Sequence, residues 1–176
     1  MRHILYSAVS LLALAVPAIA QDAPANVDLI ATFVLGVEDG ATLGGSDAAR
    51  TAVMHRSGPG VFDATPSTGD PFTFTVSEKP ACVFDFMYSE KGQALGGIEV
   101  DAGKLSAVSY EKTGETAPIV TYTITLNGAE GIVQSLSPDG SLSPAPPSST
   151  LFTSLTAEHM QEAVTAFQAG TCPAAA

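Results

Sequence analysis

Apolar and polar residues alternate with a period of two along the middle of the chain. In residues 72–77 aromatic and aliphatic side chains alternate with threonine and serine, and residues 120–126 repeat the pattern against threonine. A period of two is typical of a strand with one buried face and one face in water. The other segments that fit strands are residues 82–88, 98–100, 105–111 and 129–136. About six strands joined by short connections favour an antiparallel meander.

Two stretches predict hairpin turns between these strands. Asn127-Gly128 is the dipeptide that best suits a two-residue type I′ turn, so the chain would turn back directly after it. Residues 101–104 carry a glycine at a hairpin position and would join the strands on either side. Residues 61–71 contain two prolines, a glycine and several polar residues, which indicates a loop.

The end of the chain has the period of a helix. Thr156 suits the N-cap, with Leu155 and Met160 placed as a hydrophobic staple across it. The apolar residues of one helical face are Met160, Ala163, Val164 and Phe167. Gly170 is typical of the position that follows a helix end. One stripe of this C-terminal helix is therefore expected to pack against the sheet.

The pattern near the other end of the chain is less decisive. Residues 28–37 have apolar side chains at the spacing of one helical face, with Asp28 as a cap and Gly40 as an end. The same residues are rich in β-branched and aromatic side chains, so a buried strand remains the alternative. Residues 46–56 start with Ser46 and an acid and have a face of small side chains, which predicts a second, short helix.

Together these patterns predict an α+β fold. An antiparallel meander sheet of about six strands would pack against a C-terminal helix and an N-terminal helical segment. Residues 137–149 contain four prolines and many serines. Because proline lacks the donor of a sheet ladder, this stretch is expected to be a Pro/Ser-rich surface connection. Residues 21–176 fit a single domain of ordinary size.

The start of the chain has the pattern of a secretory signal peptide. Arg2 provides a positive charge, residues 4–16 are almost wholly apolar, and Ala18 and Ala20 supply the small residues that signal peptidase requires. The alternative is a membrane anchor, but the apolar run is shorter than the ~20 residues of a spanning helix. We therefore expect residues 1–20 to be removed, the mature chain to be periplasmic or extracellular, and no integral membrane segment to remain.

The chain is strongly acidic, with a formal charge of −11. Removal of Arg2 with the signal peptide takes away one positive charge and makes this −12. An acidic surface repels nucleic acid and anionic lipid, so neither is expected as a partner. Acidity also keeps an exported protein in solution, which is the simpler explanation of this charge. The partner is expected to be an unknown protein or a component of the cell envelope.

The two cysteines of the chain are Cys82 and Cys172. Disulfides persist in oxidising compartments outside the cytoplasm, and a count of two leaves a single pairing. The alternative is a redox-active pair, but such pairs usually occur as C-x-x-C at the start of a helix. We expect a structural disulfide that joins the start of a strand at Cys82 to the end of the C-terminal helix.

Few residues are placed to carry out chemistry. His55 and His159 do not occur in the spacings of zinc sites. Asp85 is flanked by Phe84 and Phe86, but alternation along a strand turns it toward the opposite, solvent-facing side. No phosphate-binding loop, dinucleotide motif or EF-hand loop is present. We expect no cofactor, metal or catalytic group, while a role for Asp85, His55 or His159 stays open.

One aromatic surface stands out as a possible binding site. Its residues come from the predicted strands, and they are Phe72, Phe74, Phe84, Phe86, Tyr88 and Tyr122. The leading expectation for function is a non-enzymatic exported protein that binds another protein or an envelope component. The first alternative is a carrier whose curved sheet and helix enclose a small apolar ligand against this surface. The second is a hydrolase without a recognisable motif.

Overall fold

The computed structural model describes residues 26–45, 51–80, 82–170 and 172. The predicted signal peptide, residues 1–20, lies outside them. The α-helices are α1 (Asn26–Leu35) and α2 (Ala157–Gln168), and a 3-10 turn spans Ala102–Lys104. The strands are β1 (Thr42–Gly44), β2 (Thr51–Gly58), β3 (Val61–Pro66), β4 (Phe72–Lys79), β5 (Val83–Glu90), β6 (Gln93–Asp101), β7 (Leu105–Thr116), β8 (Ile119–Gly128), β9 (Val133–Leu136), β10 (Leu142–Pro144) and β11 (Ser148–Thr153).

The eleven strands form one sheet, in which each neighbouring pair is antiparallel. Their order is β10-β9-β6-β5-β4-β3-β2-β1-β11-β8-β7. Strands β1 to β6 follow one another as a meander, but β9 and β10 extend the sheet beyond β6, and β11 lies between β1 and β8. The predicted six-strand α+β fold is therefore wrong. The protein is mostly sheet, because the segments between the recognised strands pair as well.

Two segments that were not predicted as strands form β2 and β3. Thr51–Gly58, most of which was placed in the second helix, is β2, and Val61–Pro66, predicted as a loop, is β3. In β2, Ala52 and Met54 are buried while the residue between them is exposed, which is a period of two. Residues 46–50 lie outside the described part. The N-terminal helical segment thus reduces to α1, because pairing with neighbouring strands outweighs local helix propensity.

A short turn decides the curvature of the sheet. The 3-10 turn of three residues joins β6 to β7, yet seven strands lie between these two in the sheet. The sheet must therefore curl until β6 and β7 come close together at the turn, in the direction of its natural twist. At this end the Ala129 amide donates to the Lys104 carbonyl at 3.2 Å, and the Asp101 amide donates to the Ile132 carbonyl at 2.9 Å. The result is a half-barrel, and the hairpin predicted at this turn is wrong.

The stretch 137–149, expected to lie outside the sheet, takes part in it. It contains β10 and the first residues of β11. Between them the chain crosses from β10, at one edge of the sheet, to β11, which lies between β1 and β8. The Ala145 amide donates to the Val133 carbonyl at 3.4 Å, and the Leu126 amide donates to the Pro147 carbonyl at 2.9 Å. Proline is tolerated because β10 is an edge strand and because Pro147 contributes a carbonyl rather than an amide.

Asn127-Gly128 does not form the predicted hairpin. Both residues belong to β8, where they pair with Ala107 and Leu105 of β7. The chain then continues to β9, which pairs with β6 and β10. A Cβ atom at Gly128 would overlap the Lys104 carbonyl oxygen. The glycine is therefore required for the close approach of two backbones and not for a tight turn.

Helix α1 lies on the concave side of the half-barrel and is enclosed over most of its length. Of the two alternatives for residues 28–37, a helix or a buried strand, the helix is therefore the correct one. Every residue from 30 to 34 is buried. Because a helix that is buried on all sides has no polar face, its sequence also fits the pattern of a buried strand. The ring centroid of Phe33 lies 5.3 Å from that of Phe167 in α2. The ring centroid of Phe167 in turn lies 5.6 Å from that of Phe84 in β5. These contacts join both helices to the sheet.

Side chains of the sheet hold the C-terminal end of α1. The Tyr110 hydroxyl of β7 donates to the Phe33 carbonyl at 2.9 Å. The Thr153 hydroxyl of β11 donates to the Gly36 carbonyl at 2.7 Å. The last carbonyls of a helix have no donor within the helix, so these bonds satisfy groups that would otherwise lack a partner. The helix is thus fixed to two strands near the far end of the sheet.

Helix α2 agrees with the sequence prediction. The Thr156 hydroxyl accepts a hydrogen bond from the His159 amide at 3.2 Å and forms the N-cap. The predicted stripe is buried, and it consists of Met160, Ala163, Val164 and Phe167. The helix packs against α1 and β7. The stripe therefore meets another helix as well as the sheet.

Replacing Gly128 with alanine tests the pairing of β8 with β7 beside the turn at Ala102–Lys104. Because the new Cβ would overlap the Lys104 carbonyl, we expect Gly128→Ala to lower the free energy of unfolding by about 1–3 kcal/mol. Gly114→Ala is the matched control in the neighbouring strand, since its Cβ would come no closer than 3.5 Å to Thr121 and should change stability by less than about 0.5 kcal/mol. Urea denaturation measures both. Equal stability of the two variants would contradict the pairing of Gly128 with Leu105.

The Tyr110 hydroxyl should make stability depend on alkaline pH. Burial raises the pKa of Tyr110 above its usual value of about 10. Between about pH 10 and the raised pKa, the unfolded state loses the phenolic proton while the folded state keeps it, so the free energy of unfolding falls as the pH rises. This group should contribute a decrease of up to about 1.4 kcal/mol per pH unit above about pH 10.

Tyr110→Phe should flatten that decrease and lower stability at neutral pH by about 1 kcal/mol, because the bond to the Phe33 carbonyl is lost. Tyr122→Phe is the control, since its ring lies 6.3 Å from that of Tyr110 but does not bond to Phe33. Urea denaturation at about pH 7.5 and about pH 11 measures the decrease. An equal decrease in wild type and Tyr110→Phe would refute the assignment.

Candidate functional site

The six aromatic residues of the predicted ligand surface divide into two groups. Three are buried in the core beside the helices, and these are Phe84, Phe86 and Tyr122. The other three are half-buried, and these are Phe72, Phe74 and Tyr88. Phe74 is the cross-strand partner of Tyr88, so this second group, the mouth cluster, shares one face of the sheet. It lies at the mouth of the half-barrel, opposite the base, where Cys82 precedes β5.

The rings of the mouth cluster contact one another. The ring centroid of Phe72 lies 5.6 Å from that of Phe74 and 5.5 Å from that of Tyr88, and the last two are also 5.5 Å apart. The Phe72–Phe74 pair is edge-to-face and the other two are tilted, which are favourable geometries for aromatic pairs. The cluster is thus a packed apolar wall that is not fully covered by the rest of the protein.

A cavity of about 400 Å³, the mouth cavity, opens beside this cluster. Its apolar lining comes from five adjacent strands, and it consists of Leu43, Gly44, Ala52, Pro66, Phe72 and Tyr88. Ala52 pairs with Leu43 on one side and with Pro66 on the other, so the three lie side by side on the concave face. Small side chains at these positions leave the space that the cavity occupies.

The sequence patterns did not indicate most of this lining. Ala52 and Pro66 fall in segments predicted as a helix and a loop. The signal that could have found them is the short alternation of β2 and β3, where Met54, Phe62 and Ala64 are buried. A β-bulge near Gly58 interrupts this pattern, and the two strands are therefore too short to show a clear period.

Two carboxylates stand at the rim of the mouth cavity, Asp70 and Glu90. Asp70 Oδ2 lies 2.9 Å from Lys91 Nζ. Glu90 is the cross-strand partner of Phe72, so its side chain lies on the same face as the mouth cluster. The pKa of Tyr88 is raised, first because its phenol is partly buried and second because the negative charge of Glu90 disfavours phenolate. The mouth is therefore both apolar and negative.

Two further cavities lie at the seam, where the ends of the sheet face each other. The larger, of about 570 Å³, is lined mainly by residues 125–134, which run from the end of β8 to the start of β9. The smaller, of about 150 Å³, lies under Pro146 and reaches Val34 of α1. Their described linings contain no aromatic side chain. The mouth cavity is therefore the better candidate for recognition of a ligand.

Cys82 and Cys172 form a disulfide at the base, with their Cα atoms 5.8 Å apart. This is the pairing that the cysteine count predicted, and it ties the start of β5 to the chain just beyond α2. Among the described residues, Glu78 and the two cysteines form a group close enough to hold a metal ion. Sulfur atoms joined in a disulfide do not provide thiolate ligands. The group is therefore structural.

Asp85 lies on the convex face and belongs to an ion-pair network. Lys79 Nζ lies 2.9 Å from Asp85 Oδ2 and 2.8 Å from Glu99 Oε2, and these hydrogen bonds raise the pKa of Lys79. Asp85 and Glu99 are direct cross-strand partners, and two like charges in that position destabilise a sheet unless a cation is shared. Asp85 Oδ1 is buried without a partner among the described residues. The network holds three strands together at the base.

His55 and His159 lie on different elements. His159 Nε2 is 2.6 Å from Glu38 Oε2, which joins the start of α2 to the loop after α1. His55 is exposed on β2. In the part of the chain that the structure describes, neither ring bonds to a serine hydroxyl. The Ser-His-acid arrangement of a serine hydrolase is therefore not assembled there.

The fold and the site define a curled antiparallel sheet that encloses two helices and leaves a small aromatic cavity at its mouth. Within the described residues, no helix is both long enough and apolar enough to cross a membrane. Comparison with family models, with curated proteins and with solved structures finds no match to this chain. The function is therefore argued from the mouth cavity itself.

Removal of the disulfide should destabilise the protein. The bond closes a loop with a sequence separation of 90, and loss of such a bond typically costs about 2–5 kcal/mol. Urea denaturation with and without reductant measures the change. The control is the double variant Cys82→Ala/Cys172→Ala, which should be less stable than wild type and insensitive to reductant. The expectation fails if the wild-type midpoint does not move when both cysteines are shown to be reduced.

Proposed function

We propose that this protein is a non-enzymatic binding protein that holds a small apolar ligand in the mouth cavity. The observation that carries the proposal is the aromatic wall of that cavity, where Phe72 and Tyr88 are only half-buried. Ligand sites are typically clefts of about 300–1,000 Å³ with a mostly apolar lining and a few polar groups. The mouth cavity, of about 400 Å³, has this size and composition.

The packing below the mouth limits the size of the ligand. There the concave face is filled by both helices and by fully buried aromatic side chains, which are Phe33, Phe62, Phe84 and Phe167. A ligand that reached deeper would have to displace side chains packed as closely as in a crystal. The ligand is therefore a small molecule, or one short apolar group of a larger molecule.

The polar groups of the cavity favour binding over catalysis. They are the hydroxyls of Thr51 and Thr68, the phenol of Tyr88 and the carboxylates of Asp70 and Glu90. The described lining includes no histidine, cysteine or lysine. Hydrolysis by carboxylates uses a pair of them, and here Asp70 is engaged by Lys91 at 2.9 Å. The hydrolase alternative therefore has little support at this site.

Export is part of the proposal. The signal-like residues 1–20 and the disulfide between Cys82 and Cys172 both support an oxidising compartment, periplasmic or extracellular. Apolar compounds dissolve poorly in water. A protein of this kind would keep its ligand dispersed in that compartment.

A second candidate function is the binding of a protein or an envelope component along β7. This strand has 12 residues and pairs only with β8, so within the described residues its other edge can accept a strand from a partner. However, bulges near Leu105 and Lys112 interrupt the pairing of β7, and bulges protect sheet edges against such addition. The mouth cavity therefore remains the stronger candidate.

The uncharged dye Nile red tests the proposal, because its fluorescence rises in an apolar environment. We expect one dye molecule to bind, and Thr68→Trp, which fills the cavity from its exposed rim, to weaken binding at least about 10-fold. Thr65→Trp is the matched control, since Thr65 is exposed on β3 and does not line the cavity. Its affinity for the dye should stay within about twofold of wild type.

Equal binding of the dye by wild type and Thr68→Trp would contradict a ligand site at the mouth. Native mass spectrometry of the protein purified from its own compartment gives a second measurement. A small-molecule adduct that is lost in Thr68→Trp supports the proposal. A protein that is retained equally by both variants, without such an adduct, favours binding along β7 instead.

A further inference from the structure

We propose that the mouth cavity selects an amphiphile with a cationic head group, and that Glu90 receives its positive charge. This inference rests on the proposed function and specifies its ligand. Three features of the mouth carry it, and they are the position of Glu90, the charge balance of the lining and the aromatic wall.

Glu90 is placed to meet the head group of a ligand that lies against the mouth cluster. It ends β5 and is the cross-strand partner of Phe72. Cross-strand partners have Cβ atoms about 4.5–5.5 Å apart on the same face. Lys91 engages the other rim carboxylate, Asp70, at 2.9 Å, whereas Glu90 has no ion-pair partner among the described residues. Glu90 is therefore the carboxylate that is available to a ligand.

The charge balance at the mouth is negative. The described lining carries two carboxylates; Lys91 balances the charge of Asp70, and Glu90 leaves one net negative charge. The whole chain carries −11. Such a site attracts cations and repels anions before any contact is made.

The aromatic wall favours the same sign of charge. The faces of aromatic rings attract cations, including quaternary ammonium groups, and Phe72 and Tyr88 both line the cavity. The raised pKa of Tyr88 agrees with this, because burial and Glu90 both disfavour a further negative charge there. A carboxylate head group would face Glu90 in a partly apolar setting, where like charges repel more strongly than in water.

Three probes with the same octyl tail test the inference: octyltrimethylammonium, octanol and octanoate. Each is kept below its critical micelle concentration, and its affinity is measured by displacement of Nile red at neutral pH. We expect octyltrimethylammonium to bind at least about 10-fold more tightly than octanoate, with octanol between them. Glu90→Gln should weaken binding of octyltrimethylammonium about 3- to 10-fold and leave octanol within about twofold. Glu111→Gln is the charge-matched control, because Glu111 is an exposed carboxylate on β7 outside the cavity.

The outcomes separate this inference from the proposed function. A cation preference that Glu90→Gln reduces and Glu111→Gln does not reduce supports the assignment. If octanol binds but octyltrimethylammonium is not favoured over octanoate, or if Glu90→Gln leaves the preference intact, the inference is overturned while the mouth remains a binding site. If none of the probes displaces the dye from wild type, the binding site is overturned, and the selectivity with it.

Discussion

The short turn at Ala102–Lys104 is the constraint on which the rest of the structure depends. It allows three residues to join β6 to β7, two strands that lie far apart in the order of the sheet. A flat sheet cannot satisfy so short a connection, so the sheet curls and brings β6 and β7 close together at the base. Curling creates a concave apolar face, and such a face must be covered. The helices cover one part of it, and the mouth cavity is the part that they leave.

The lengths of the elements explain why the cover is incomplete. Helices α1 and α2 have 10 and 12 residues and are therefore about 15 and about 18 Å long, whereas β5 has 8 residues and spans about 26 Å. Even a helix laid along the strands would leave part of the concave face uncovered. Tyr110 and Thr153 hold the end of α1 in place, so the helix cannot slide toward the mouth without losing both bonds. The uncovered part is where Phe72 and Tyr88 remain half-buried.

Stability and the proposed binding site are located at opposite ends of the half-barrel. The disulfide, the short turn between β6 and β7 and the Lys79 network all lie toward the base. The mouth instead combines half-exposed aromatic rings with the carboxylate of Glu90. Both features are unfavourable for the free protein, because apolar surface faces water and negative charge accumulates. A cationic amphiphile would relieve both at once, which is typical of sites where function is kept at the expense of stability.

The sequence by itself determined the elements whose signals are local. The Thr156 cap and apolar stripe of α2, the alternation of β4 and β5, and the pairing of two cysteines need no knowledge of neighbouring segments. It did not determine β2, whose short alternation resembled a helix, or the role of Gly128, which a distant carbonyl decides. Phe84 in β5 and Phe72 in β4 both lie on the apolar side of a strand in which apolar and polar residues alternate. Only the tertiary structure, by placing the helices over the base, buries Phe84 completely and leaves Phe72 at the mouth.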